Sequence, residues 1–198
     1  ILRFSSMYED YLRENTDNKF WLVNTNKLVR FYEGADGLKT GHTEEAGYCL
    51  TTSSKRGPMR LISVIFGAPS MQERASQTRE ILAWGYANFE TVNVQPANQE
   101  IAKSKVWFGT ENEASIGLAE KFNVTMPKGQ ANAIKTQISV QPNLNAPLQK
   151  GQIVGKLTAT LDGKVIAEKP LVALQAVEEA GFFSRMIDHV KQFFSNLF

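Results

Sequence analysis

The feature that most constrains the fold is a change of pattern after Thr91, where a helix-bearing segment gives way to short β-like runs. Turn residues separate these runs, which cover 101–108, 122–126, 133–140, 153–161 and 165–172. Short strands separated in this way predict an all-β domain over residues 92–181. Its clearest signal is Asp162-Gly163, because a two-residue Asp-Gly loop suits the twist of a β-hairpin.

The segment before Thr91 predicts an antiparallel meander. A segment around Lys39 is flanked by glycines, an extended run follows over 47–54, and a turn at 55–58 leads into a second run over 59–66. The second run is nearly all apolar, which is typical of a strand covered on both faces. A helix is therefore expected to pack against this strand.

The residues after the meander predict that helix. Ser70 is a candidate N-cap with Glu73 three residues later, and apolar residues follow at helical spacing. We expect a helix over about 71–89. Residues 1–91 then form an antiparallel sheet with a packed helix, and the chain as a whole has an α+β fold.

The last residues, 182–198, form a third pattern, with apolar side chains at helical spacing on one face. These side chains are Phe182, Phe183, Met186, Ile187, Val190, Phe193, Phe194, Leu197 and Phe198. One interpretation is a helix docked on its own domain. We favour an amphipathic helix lying on a membrane surface, because the β-rich segment before it already looks complete. With few cations in the segment, burial of the aromatic face must dominate its binding.

Composition excludes several functions. The net charge is +2, with 22 basic residues interspersed among 20 acidic ones, so nucleic-acid binding is not expected. His42 and His189 are too few and too far apart in the sequence to suggest a metal site, and no cofactor is expected. No apolar run approaches the roughly 20 residues that a membrane-spanning helix requires.

The single cysteine and the N-terminus give two further expectations. Cys49 excludes an intrachain disulfide, and its neighbours Tyr48 and Leu50 predict a buried thiol. The chain begins at Ile1 without an initiator methionine or a signal-peptide pattern, so we expect it to start inside a larger protein.

The stretch from Asp36 to Thr43 contains Lys39-Thr40-Gly41, a tripeptide found in the active sites of penicillin-binding proteins and class A β-lactamases. A lysine ammonium attracts a substrate carboxylate, and a threonine hydroxyl adds a hydrogen-bond donor. A glycine leaves room for a peptide alongside the strand, and the next backbone N–H suits a developing oxyanion. A surface hairpin with a solvated lysine explains the tripeptide equally well.

Six segments of the sequence resemble the serine D-alanyl-D-alanine carboxypeptidases of low molecular mass. They are residues 36–46, 59–68, 84–92, 106–109, 146–151 and 169–172. The resemblance covers nearly the whole chain. It implies the C-terminal part of a penicillin-recognising, β-lactamase-like domain over 1–91, a β-rich domain over 92–181 and a membrane-associating helix over 182–198.

The resemblance also implies roles for individual residues. Lys39 and Thr40 match residues that hold the terminal carboxylate of a peptidoglycan stem peptide or of a β-lactam, and Gly41 keeps the strand open. His42 matches a residue whose backbone N–H forms half of the oxyanion hole. Arg74 matches an arginine that helps to hold the carboxylate, although an exposed helix arginine is an equally good interpretation.

The nucleophile of the family is missing from these 198 residues. No serine stands in a Ser-x-x-Lys or Ser-x-Asn motif, and Thr52-Ser-Ser-Lys55 is the nearest approach. Covalent catalysis needs an activated nucleophile, so the chain alone is expected to be inactive. The attacking serine is expected to lie outside the given sequence.

The expected function is therefore part of an exported serine carboxypeptidase that removes the terminal D-Ala from peptidoglycan and binds β-lactams. Its expected location is the outer face of the bacterial cytoplasmic membrane. The alternative is a non-catalytic, membrane-associated module that binds the cell wall. A class A β-lactamase is a third candidate, but such an enzyme would end soon after the helix near Phe89.

Overall fold

The computed structural model describes residues 1–195, and for residues 193–195 only the backbone. Leu197 and Phe198 of the predicted terminal helix therefore lie outside the described residues, as do the side chains of Phe193 and Phe194. The chain divides into two compact units. The first contains residues 1–91 and 125–128, and the second contains 92–124 and the residues from 129 onwards.

The first unit is built around a three-stranded antiparallel sheet. Its elements are α1 (Leu2–Ser5), β1 (Glu9–Leu12), β2 (Phe20–Val23), α2 (Leu28–Phe31), β3 (Ala35–Thr43), β4 (Gly47–Arg56), β5 (Met59–Ala68) and α3 (Met71–Asn88). β1 and β2 pair as a hairpin, and the main sheet has the order β3–β4–β5. α3 packs on β4 and β5. The predicted meander and helix are confirmed.

α3 begins as its sequence predicts and packs closely on the sheet. The Ser70 hydroxyl accepts a hydrogen bond from the Glu73 backbone N–H at 3.0 Å, which caps the first turn. The helix buries Arg74, Thr78, Leu82 and Gly85. A Cβ atom at Gly85 would lie only 2.6 Å from a methyl carbon of Leu61 on β5, so the missing side chain is what allows this approach.

β5 differs from its prediction. Met59 and Ser63 are buried, but Ile62, Val64 and Phe66 are exposed. The expectation of a strand covered on both faces is wrong for the described residues, because α3 covers one face and these three apolar side chains point the other way. An apolar composition indicates a strand that can be buried, and it does not identify what buries it.

The second unit is mostly strand, as predicted. Its elements are β6 (Phe89–Gln95), β7 (Glu100–Trp107), β8 (Glu113–Gly117), β9 (Phe122–Pro127), β10 (Lys135–Val140), β11 (Leu144–Asn145), β12 (Ile153–Leu161) and β13 (Lys164–Ala173). The first three residues of β6 and the last three of β9 are counted with the first unit. Six strands form a sheet in the order β10–β12–β13–β8–β7–β11, while β6 pairs with β9. Val106, Ile116, Val154, Leu157 and Leu171 are buried in this unit.

The hairpin between β12 and β13 forms at the predicted position. Asp162 and Gly163 have φ angles of 51° and 75°. Positive φ at both central residues is the requirement of a type I′ turn, which Asp-Gly meets at low cost. The prediction from this dipeptide is confirmed.

The chain ends in α4 (Phe182–Ser195). Arg185, Asp188 and Gln192 are half-buried at positions i, i+3 and i+7, so a polar face of the helix turns inward. Phe182, Phe183, Met186, Ile187 and Val190 are exposed. None of the helices in the described part of the chain is long and apolar enough to cross a membrane.

Candidate functional site

The candidate site lies along β3. This strand pairs with β4 on one side and is the last strand of its sheet. Ser5 and Asn26 donate to the carbonyls of Asp36 and Gly37 at its start, but no other strand within residues 1–195 pairs along its second edge. Lys39 lies opposite Thr51, Gly41 opposite Cys49 and His42 opposite Tyr48. An open edge presents backbone N–H and C=O groups that can pair with an extended peptide.

Lys39 and Thr40 differ in how firmly the fold holds them. The Lys39 side chain is exposed, and its ammonium donates a hydrogen bond to the Thr40 carbonyl at 2.7 Å. The half-buried Thr40 shares a 2.7 Å hydrogen bond with the hydroxyl of Thr25. The ammonium is therefore accessible to an anion, whereas the threonine hydroxyl has a fixed position.

Gly41 has no structural need to be glycine within the described chain. Its φ is not in the left-handed region, and a Cβ atom placed there would come no closer than 3.9 Å to the Cβ of Cys49. Neither conformation nor internal packing explains the missing side chain. The missing side chain leaves room for another chain to approach the backbone closely at this position.

The exposed His42 side chain packs on Tyr48 of the neighbouring strand, with ring centroids 4.0 Å apart. Cross-strand aromatic pairs of this kind stabilise a sheet. This packing gives the imidazole a structural partner, so a site role for His42 would lie in its backbone N–H.

Arg74 is buried, with 7% of its surface exposed, so the interpretation of an exposed helix arginine is wrong. Its guanidinium donates to the carbonyl of Gly41 at 3.4 Å and to that of Cys49 at 3.2 Å. It also lies 5.8 Å from the ring centroid of Tyr48. Arg74 thus links β3 to β4 beside Gly41, and it places a buried positive charge next to the motif.

The start of β3 is held by an ion pair. The guanidinium of Arg60 on β5 contacts both carboxylate oxygens of Asp36, at 2.8 and 2.9 Å, and it also donates to the Ser53 hydroxyl on β4. These hydrogen bonds from Arg60 hold the pKa of the Asp36 carboxyl below its usual range, against the opposing effect of burial. The two-pronged geometry fixes where β3 begins relative to the other strands.

This ion pair gives a testable pH dependence. Because the folded-state pKa of Asp36 is lowered, its stabilisation is present above the unfolded pKa and is lost as pH falls through the folded value. We expect Asp36→Asn to lower the free energy of unfolding by about 1 kcal/mol at pH 7. In urea titrations the difference from wild type should shrink below about pH 4.

The matched control is Glu33→Gln. Glu33 pairs with Arg56 at 3.8 Å, but its side chain is 82% exposed, so this change should leave stability almost unaffected. A difference between Asp36→Asn and wild type that stayed constant from pH 7 to pH 2 would contradict the assignment to the Asp36 carboxylate.

The structure brings all five site residues expected from the sequence into the first unit, and Arg74 reaches the backbone of Gly41. Sequence reasoning missed Thr25, which bonds to Thr40, and Asn26, which is buried and donates to the Gly37 carbonyl at 3.0 Å. Nothing in the local pattern marked either residue, because their partners are distant in sequence.

Two smaller expectations concern cysteine and metals. Cys49 is half-buried rather than buried, because it lies near the start of β4, where its thiol donates to the carbonyl of Ala46 in the preceding turn at 3.4 Å. No group of three or more His, Cys, Asp or Glu side chains suited to a metal ion occurs in residues 1–195.

Comparison with known proteins places this geometry in a family. A family model for D-alanyl-D-alanine carboxypeptidase matches residues 1–70, and one for the C-terminal domain of penicillin-binding protein 5 matches residues 89–179. D-alanyl-D-alanine carboxypeptidase DacF of Bacillus subtilis is 45% identical over 93% of this chain and 48% of its own length. DacA of Escherichia coli is 39% identical over 98% of this chain and 48% of its own length.

A solved structure supports the same relationship. Penicillin-binding protein 5 from Haemophilus influenzae matches with a TM-score of 0.73 and 37% identity, over 90% of this chain and 51% of that one. The chain thus spans about half the length of the relatives it matches. The predicted α+β fold and the predicted resemblance are confirmed, since the chain is related over nearly its whole length to the C-terminal portion of the D-alanyl-D-alanine carboxypeptidases of the penicillin-binding protein 5 family.

Proposed function

We propose that this chain is the C-terminal part of a serine carboxypeptidase that removes the terminal D-Ala from peptidoglycan stem peptides through an acyl-enzyme. The observation that carries the proposal is Lys39-Thr40-Gly41 on the edge strand of its sheet, with no further strand of residues 1–195 paired beside it. β-Lactams are proposed to acylate the same serine. That serine and its base would come from a preceding segment, because residues 1–198 contain no Ser-x-x-Lys or Ser-x-Asn motif.

In this proposal β3 binds the C-terminal end of the substrate as an added strand. The Lys39 ammonium and the Thr40 hydroxyl hold the terminal carboxylate, and the nearby charge of Arg74 favours the same anion. The backbone N–H of His42 stabilises the oxyanion that forms when the serine attacks the amide carbonyl. D-Ala then leaves, and water hydrolyses the acyl-enzyme.

The role of Gly41 can be separated from folding. Since a Cβ atom at this position has 3.9 Å of clearance, Gly41→Ala should change the free energy of unfolding by less than about 1 kcal/mol. A methyl group facing the substrate should nevertheless lower kcat/KM for a D-Ala-D-Ala peptide by about 100-fold. Urea titration and a steady-state assay of the full-length variant measure the two effects.

Gly57→Ala provides the comparison for this variant. Gly57 also has open space around it, but it has a φ of 56° and lies in the turn between β4 and β5. Its substitution should cost stability through backbone strain and leave kcat/KM close to wild type. An active, stable Gly41→Ala enzyme would contradict the proposed approach of substrate at Gly41.

We further propose that the protein is exported and is held at the outer face of the cytoplasmic membrane by α4. The support is the row of five exposed apolar side chains on this helix, of which Phe183 is 76% exposed. A helix with one polar and one aromatic face suits the boundary between lipid headgroups and acyl chains. Association would be peripheral, with the apolar face lying in the surface of the bilayer.

Release of D-Ala tests the catalytic proposal. The protein encoded by the complete reading frame should liberate D-Ala from a synthetic peptide ending in D-Ala-D-Ala and should spare the same peptide ending in L-Ala-L-Ala. If the full-length protein bound peptidoglycan yet released no D-Ala, the non-catalytic cell-wall binding module would replace the enzyme.

A further inference from the structure

α4 is held to the second unit by its polar side. The Asp188 carboxylate accepts a hydrogen bond from the backbone N–H of Phe108 at 3.0 Å. The ring of His189 packs on that of Phe108, with centroids 4.4 Å apart, and Arg185 pairs with Glu179 at 3.1 Å. We call these three contacts the clasp. An amphipathic helix normally buries its apolar side on its own domain, and here the opposite side is docked.

Phe108 adopts an unusual backbone conformation at this point. Its φ is 62°, in the left-handed region that bulky side chains rarely occupy. Such a conformation persists only where the surroundings compensate for it. In this conformation the N–H of Phe108 donates to Asp188 and its ring packs on that of His189. Both the backbone and the side chain of this strained residue therefore contact α4.

The segment leading into α4 is fixed to the same place. Ala180 donates its N–H to the Phe108 carbonyl at 2.8 Å, and Thr110 donates its N–H to the Glu178 carbonyl at 2.8 Å. The helix therefore leaves a stretch of paired backbone instead of a free linker. These backbone hydrogen bonds fix the direction in which α4 begins.

The clasp also determines which charged side chains of α4 face the β-rich unit and which face outward. Asp188 is the one acidic residue in the segment 182–198. Because its carboxylate faces Phe108, the outward side of the described helix combines exposed apolar side chains with the exposed cation Lys191. Such a combination suits a bilayer containing anionic lipids, whose surface attracts cations and repels carboxylates.

We propose that the clasp holds α4 rigidly on the β-rich unit, so that the helix meets an anionic bilayer with its apolar face outward and fixes how that unit stands on the membrane. This inference rests on the proposed membrane role of α4. In this proposal α4 sets the orientation of the β-rich unit relative to the bilayer, and it does not move independently of that unit.

Distances between spin labels test this directly. In the full-length protein with Cys49→Ser, labels at Lys103→Cys and Ser184→Cys report on the β-rich unit and on the helix, and both native side chains are exposed. A rigid clasp predicts one narrow distance distribution by pulsed electron resonance, the same in solution and on vesicles of phosphatidylglycerol and phosphatidylethanolamine.

Asp188→Ala should broaden that distribution in both conditions, because losing a hydrogen bond to a charged group shifts the docked-to-free ratio about ten-fold. Asp188→Asn keeps an acceptor oxygen and should restore part of the sharp component. Lys164→Ala, at an exposed position of β13 outside the clasp, should change nothing.

A broad wild-type distribution, a distance that changes on vesicles, or an Asp188→Ala distribution identical to wild type would each overturn the proposal. If the narrow component of the distance distribution disappeared on dilution, the apolar face of α4 would bind a second copy of the chain. That result would also overturn the proposal. Absence of vesicle binding by wild type would refute the membrane role separately, since the solution distance would remain narrow.

Discussion

Replacing Lys39 with alanine in the full-length protein is expected to lower kcat/KM for a D-Ala-D-Ala peptide by about 100- to 1,000-fold. The exposed ammonium contributes little to folding, since its hydrogen bond goes to the carbonyl of the next residue. Its loss should therefore affect binding of the substrate carboxylate and leave the free energy of unfolding nearly unchanged. Steady-state kinetics and urea titration check both statements.

Lys55→Ala is the matched control. Lys55 is an exposed lysine on the neighbouring strand β4, and its backbone N–H bonds to Gly34 whatever the side chain. This variant should keep wild-type kinetics. Equal kcat/KM for Lys39→Ala and wild type would remove the carboxylate-binding role from Lys39.

The second large effect is expected for membrane binding when apolar residues of α4 are replaced. Phe183 and Ile187 are 76% and 52% exposed on the apolar face of α4. Replacing both by serine should weaken binding to anionic vesicles by about 100-fold, because each loses a large part of the free energy gained on burying an apolar side chain. Vesicle co-sedimentation over a range of lipid concentrations measures this change.

Deletion of residues 182–198 should reduce membrane binding more than the two serine substitutions do, so that the protein is no longer found in the membrane fraction. Ser184→Ala, on the same helix, should bind vesicles like wild type. A deleted protein that stayed in the membrane fraction would show that another part of the molecule binds the bilayer.

Local patterns predicted the regular elements well. Helical spacing after a cap at Ser70 predicted α3, and Asp162-Gly163 predicted the β12–β13 hairpin. Both features are set by interactions between residues close in sequence, namely capping and turn geometry. The hairpin of β1 and β2 was not predicted, since its strands are short and lack a clear alternating pattern.

Features that depend on distant partners were harder to infer. Arg74 lies on the inward face of α3, where an apolar residue is expected, and it is accommodated there by two strand carbonyls. In α4 the spacing identified an apolar face, but only the contacts of Asp188 and His189 show that the polar face is the docked one. Sequence periodicity defines a face without identifying its partner.

Formation of a penicillin adduct tests the central claim most directly. The full-length protein, incubated with benzylpenicillin and examined by intact mass spectrometry, should gain the mass of one opened penicillin on a serine outside residues 1–198. The adduct should form much more slowly in Lys39→Ala, because the same ammonium would hold the carboxylate of the drug. A full-length protein that remained unmodified at saturating penicillin would contradict the account.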